Sequence, residues 1–142
     1  MHYDVAAYGR DGNLAVIGEA KVRSAPDSTW ATALRRNILE TESKLRARYF
    51  MLAVPDRLYL WPGDANPNAI PQEIDARETF APYFRMLGIE PLEIQSPTFG
   101  NVVSWWLSDL TQADPTKVDA RLRESGLVDA VAGGRISRGL AA

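Results

Sequence analysis

Asp11-Gly12 stands between two runs of β-compatible residues, Tyr3 to Tyr8 (YDVAAY) and Leu14 to Val22 (LAVIGEAKV). Asp-Gly supplies the positive φ angles that tight hairpin turns require, so residues 3–22 read as a β-hairpin. A hairpin decides which side chains meet. With Asp11-Gly12 as a two-residue turn, Arg10 pairs with Asn13, Tyr8 with Ala15 and Asp4 with Glu19. Side chains alternate along a strand, so Asp4, Glu19 and Lys21 all project from one face, Lys21 diagonal to Asp4. A four-residue loop keeps this register, whereas a three-residue loop with a bulge shifts it.

Like charges directly opposite one another destabilise a sheet, so the Asp4–Glu19 pair asks for a reason. A divalent cation is one. Two carboxylates a strand spacing apart, with the carbonyl of Ala20, offer hard oxygen ligands to Mg²⁺ or Mn²⁺ and leave positions for water and a phosphate oxygen. Lys21 would then orient the attacking water and stabilise negative charge developing on a phosphoryl group. The alternative is an exposed cross-strand cluster in which Lys21 balances the acids. Composition narrows the chemistry in the same direction. With no cysteine and one histidine, disulfides, thiol nucleophiles, Cys/His zinc sites and the usual serine or cysteine triads are removed or weakened, which leaves carboxylates, lysine and a metal-activated water.

The rest of the chain supplies the frame. Pro26-Asp27-Ser28 starts a long helix to about Arg46, with Trp30, Leu34, Ile38 and Leu45 on one face. Tyr49 to Val54 and Arg57 to Trp61 read as strands joined at Pro55-Asp56, and residues 62–72 as a Pro/Asn-rich loop. Asp75 with Glu78 caps a helix through Leu87 that Gly88 closes. A short extended stretch around Leu92 to Ile94 precedes a helix from Ser96-Pro97 to about Leu110, with Val103, Trp106, Leu107 and Leu110 inward. Asp114-Pro115 opens a last helix to about Ser125, stopped by Gly126, and Gly133-Gly134 makes a turn in the tail. At 142 residues this is one domain, 1–142, with a core over 1–61 and a helical and loop elaboration over 62–142.

A net charge of −2 does not carry the usual basic footprint of a nucleic-acid binder, but residues 1–61 balance at +2 and 62–142 at −4. Five basic residues, Arg35, Arg36, Lys44, Arg46 and Arg48, fall on one segment. For Trp30, Arg35, Arg36 and Asn37 one reading is a helix face that meets phosphate; the other is solvated arginines and a core tryptophan. Trp105-Trp106 and Tyr59 with Trp61 either stack on bases or pack in the core. His2 shares the face of Asp4 in this register and either assists there or belongs to a mobile terminus. No apolar run approaches the roughly 18 residues of a membrane span, and no basic-then-apolar leader opens the chain, so a cytoplasmic protein without a membrane partner is expected.

Asp4, fourteen intervening residues, then Glu19-Ala20-Lys21 on a strand followed by a long helix resembles the PD-(D/E)xK nuclease superfamily. More closely, YDVAAYGRDG, VIGEAK, TWATALRRN and YFMLAVPDRLYLW, with the later SWWLSDL and ESGL, are similar to small bacterial proteins related to the N-terminal nuclease domain of type I restriction enzymes. The resemblance implies an α/β fold: a restriction-endonuclease-like mixed sheet flanked by helices. It also implies a catalytic set of Asp4, Glu19 and Lys21, with Asp4, Glu19 and Ala20 as metal ligands for Mg²⁺ or Mn²⁺, and DNA as the substrate. Two departures accompany it. Tyr3 replaces the proline, and Met1, three positions before Asp4, leaves no room for the usual N-terminal helix, so either the native chain starts upstream or the site is incomplete. Three readings follow: a metal-dependent deoxyribonuclease, a catalytically silent binding or assembly module that could be homo-oligomeric, and an enzyme of small phosphorylated metabolites.

Overall fold

A computed structural model describes residues 3–41 and 46–137. Its first two strands, β1 (Val5–Tyr8) and β2 (Leu14–Ala20), form the expected antiparallel hairpin. The turn differs from expectation. Gly9 to Asn13 close a five-residue loop in which the Gly9 N–H donates to the Asn13 carbonyl at 2.9 Å and the Gly12 N–H to the Gly9 carbonyl at 3.0 Å. The Asp11 carboxylate accepts from the Asn13 N–H at 2.9 Å, and Gly12 takes a φ of 82°. The longer loop pairs Tyr8 with Leu14 in place of Ala15, and Arg10 does not pair with Asn13. A register shift between Ala7 and Tyr8 absorbs the difference, so that Ala7 faces Val16, Ala6 faces Ile17 and Val5 faces Gly18. Continued one step, that register sets Asp4 across from Glu19.

Asp27 caps α1 (Ser28–Thr41), its carboxylate accepting from the Trp30 N–H at 2.8 Å. Ala31, Arg35 and Ile38 recur at helical spacing and are buried. The sequence expectation of a helix to Arg46 is not met: Arg46 and Ala47 are irregular and lead into β3 (Tyr49–Val54). Lys44 and Leu45 of that expectation lie outside the described residues. β3 returns parallel to β2, the α1 crossover making this possible. Pro55-Asp56 then turns the chain into β4 (Arg57–Pro62), as the sequence indicated.

The second half adds strands that the sequence did not announce. β5 (Gln72–Asp75) pairs antiparallel with β4, and β6 (Arg135–Ile136) pairs antiparallel with β1. The sheet order is β5-β4-β3-β2-β1-β6, a six-stranded mixed sheet. Between these strands lie α2 (Arg77–Leu87), α3 (Ser96–Thr111), α4 (Ala120–Ser125) and α5 (Leu127–Val131). Gly88 and Gly126 end α2 and α4 at φ 66° and 90°. Of the stretch around Leu92 to Ile94, expected to be extended, Leu92 and Glu93 belong to a single 3-10 turn, Pro91–Glu93, and Ile94 is extended. The helix expected from Asp114 is instead a 3-10 turn, Pro115–Lys117, followed by α4, which the Asp119 side chain caps.

Helices cover both faces of the sheet, which is why its central strands are near-continuous apolar runs. Ile17, Phe50, Leu52, Val54, Tyr59 and Trp61 pack with Ala31 and Ile38 of α1. Val16, Met51, Ala53, Leu58, Leu60 and Ile74 meet Phe80, Phe99, Val103, Trp106 and Leu107 from α2 and α3. Among the described residues no helix is long and apolar enough to cross a membrane.

Gly18 is the tightest point of this frame. A Cβ there would lie 1.9 Å from the Met51 carbonyl oxygen, so β2 and β3 can pair at this spacing only with hydrogen in its place. Gly18→Ala must push the two central strands apart, and is expected to cost roughly 1–3 kcal/mol or more. Chemical denaturation with a circular-dichroism readout measures this, and a loss below the low end of that range would place the close approach elsewhere.

Candidate functional site

β2 is the platform of the site. The Lys21 N–H donates to the Ala53 carbonyl at 2.9 Å, which turns the neighbouring Ala20 N–H toward β1. β1 begins only at Val5 and offers that N–H no backbone acceptor, and the Asp4 carboxylate takes the role, accepting at 3.0 Å. Asp4 is therefore positioned by a main-chain group of the strand that carries its partner. It is exposed at the end of the sheet, whereas Glu19 keeps only 6% of its surface.

The two carboxyl groups touch. Burial pushes the Glu19 carboxyl up, from an ordinary 4.5 to about 8; its hydrogen bond to Asp4 and the negative charge there push in the same direction, against the smaller opposing pull of the Lys21 ammonium. A carboxyl pushed up in this way favours its protonated form, which can donate to the Asp4 carboxyl group and so ease the like-charge conflict without any ion. The structure thus brings the side chains of residues 4 and 19 together. Among the described residues no third histidine, aspartate or glutamate joins them in a metal-type cluster.

Helix α3 arrives at the same place from far along the chain. The Ser96 hydroxyl oxygen accepts from the Val22 N–H at 3.1 Å, tying the start of α3 to the exit of β2. Asp4, Ala20 and Lys21 then share a recess of about 360 Å³ with Ser96, Pro97, Gly100 and Asn101. No spacing in the first 61 residues points to these four. The only local sign was Ser96-Pro97 as a helix start.

The other residues singled out in the sequence serve the frame. Arg35 neither meets phosphate nor is solvated. It is 1% exposed, donates to the Asn66 and Ala65 carbonyls at 3.0 and 2.9 Å, and lies over the Phe50 and Trp61 rings. Arg36 donates to the Asn68 side chain at 3.0 Å, so both arginines clasp the 62–72 loop. Trp30 is half-buried, edge-on to Tyr59 and under the Arg23 guanidinium. Tyr59, Trp61 and Trp106 are core residues. Trp105 is 39% exposed and packs edge-on against Tyr83, whose hydroxyl donates to Asp109 in a larger cleft of about 980 Å³ between α2 and α3. His2 lies outside the described residues. No protein-family model, no curated protein and no solved structure matches this chain, so the chemistry has to be read from the site itself.

The donors suit a hard cation in kind. Mg²⁺ takes oxygen ligands and is commonly held by one or two carboxylates while keeping several waters. To bind here it must displace the Glu19 proton, so metal affinity should rise with pH. The same proton sets a stability trend. A carboxyl whose pKa is raised on folding contributes fully below its unfolded value, and that contribution is lost as pH climbs through the folded value. At about 1.4 kcal/mol per pH unit, wild-type stability without metal should fall between pH 4.5 and about 8 by a few kcal/mol. Glu19→Gln, which keeps a donor to Asp4, should flatten that slope in denaturant titrations across the range. An unchanged slope would show that Glu19 is ionised in the fold.

Proposed function

We propose that this chain is a metal-dependent nuclease-like protein of the PD-(D/E)xK kind, hydrolysing phosphodiester bonds in DNA with Mg²⁺ or Mn²⁺. The observation that carries the reading is the contact between the Asp4 and Glu19 carboxyl groups beside Lys21, on a hairpin whose second strand continues through a crossover helix into a parallel neighbour. A restriction-endonuclease-like arrangement of the sheet and a cytoplasmic setting belong to the same reading.

Asp4, Glu19 and the Ala20 carbonyl would hold the ion. When bound, it supplies Lewis acidity toward a phosphate oxygen. Glu19 would release its proton to solvent on loading and serve as a second anionic ligand. Lys21, next on the chain to Ala20 and without a carboxylate within ion-pair distance among the described residues, is free to orient the attacking water and to set positive charge against the charge that develops on the phosphoryl group. The Ala20 N–H holds Asp4 in place throughout.

A second reading, a silent binding or assembly module on the same frame, draws on the proton that Glu19 keeps at neutral pH and on the two-acid content of the site. One experiment separates them. Plasmid and single-stranded DNA are incubated with Mg²⁺ or Mn²⁺ and with wild type or Lys21→Ala. Cutting by the wild type that falls roughly 10²–10³-fold in Lys21→Ala supports the nuclease. Undiminished cutting by Lys21→Ala rejects this mechanism. If neither protein cuts and calorimetry finds no divalent ion whose binding Glu19→Ala removes, the silent module is the correct reading.

A further inference from the structure

Glycines in this fold have visible reasons, with one exception. Gly18, Gly63 and Gly134 face backbone atoms that a Cβ would approach within 2 Å, and Gly9 faces the Ala130 carbonyl at 2.8 Å. Gly12, Gly88, Gly126 and Gly133 hold positive φ angles. Among the described residues only Gly100 has neither: it lies inside α3, where glycine is a poor helix former, it is buried, and a Cβ would meet nothing within 4 Å. What its missing side chain leaves open is the recess beside Asp4 and Lys21.

We propose that this recess receives the sugar-phosphate of one nucleotide next to the bond acted on, with Gly100 setting the room for it. The donors around it suit a phosphate. Lys21 has no ion-pair partner among the described residues, and the Asn101 carboxamide has no hydrogen bond there. Ser96 spends its oxygen lone pair on the Val22 N–H and keeps its own proton to donate. The first turn of the 16-residue α3 adds its positive end. Pro97 and the bare Gly100 backbone give a wall without charge, against which a sugar ring can lie. A volume of about 360 Å³ is near the low end of ligand clefts, which fits one nucleotide. Asp4 faces the same space and repels an anion unless a cation lies between, so the inference rests on the metal reading of the site and expects Mg²⁺ to tighten nucleotide binding.

Thymidine monophosphate and inorganic phosphate are titrated into wild type, Gly100→Ala, Gly100→Leu and Asn101→Ala, with EDTA or with Mg²⁺, and followed by amide NMR. Thymidine monophosphate should shift the amides of Lys21, Ser96 and residues 98–101, and should bind at least tenfold more weakly to Gly100→Leu and several-fold more weakly to Asn101→Ala. Gly100→Ala should unfold at a higher temperature than wild type yet bind more weakly, so the comparison survives even if the leucine variant fails to fold. No shifts at these residues, or unchanged affinity in folded Gly100→Ala and Gly100→Leu, overturns the proposal. Inorganic phosphate binding as tightly as the nucleotide removes the sugar from it and overturns the assignment equally. Calorimetry of Mg²⁺ on wild type and Glu19→Ala keeps the two readings apart: nucleotide discrimination without Glu19-dependent Mg²⁺ binding sinks the metal reading and leaves the recess, and the converse sinks the recess alone.

Discussion

The parallel pairing of β2 with β3, closed at Gly18 against the Met51 backbone, is the constraint on which the rest is built. It places β2 in the interior of a sheet covered on both faces, and so buries Glu19 on a strand whose other members are small or apolar. A carboxyl in that position loses hydration, and the penalty falls on its charged form. Asp4 meets it as an exposed side chain because β1 starts one residue late and a main-chain N–H is left for its carboxyl group. The acid pair is thus a product of where two strands part, and burial resists ionisation of its inner member.

The far half of the chain completes what the near half begins. β1 would be an edge strand with unpaired main-chain groups; β6 pairs with it, and α3 lies over β1 and β2. The sheet then ends in two short strands, β5 and β6, which leaves little edge for unwanted pairing. That closure also brings Ser96, Gly100 and Asn101 to Asp4 and Lys21. In the structure a later helix stands beside the site, offering hydroxyl and carboxamide groups and no carboxylate.

Much of the hairpin could be read directly. Asp11-Gly12 marked it, and the register that opposes Asp4 to Glu19 held although the loop has five residues, because a bulge next to Tyr8 restored the pairing. Asp27, Pro55-Asp56, Gly88 and Gly126 act where their side chains or φ angles act locally. Other elements gave no such sign. Gln72–Asp75 carries one buried residue, Ile74, and becomes a strand only because β4 offers an edge. Arg35 belongs to a type that is rarely buried, and it is inside because the 62–72 loop turns two carbonyls toward it over two aromatic rings.

The sequence by itself determined the local geometry: which residues turn, cap and alternate, and hence that Asp4, Glu19 and Lys21 sit at one end of a hairpin. These are short-range consequences of φ preference and of a two-residue side-chain period. Only the tertiary structure decided that Glu19 is buried against ionisation and that α3 walls Asp4 and Lys21 into a recess with a bare helical glycine. The burial depends on a six-stranded sheet covered on both faces and the recess on a helix whose first residue, Ser96, stands 74 positions beyond Val22, which no local pattern encodes.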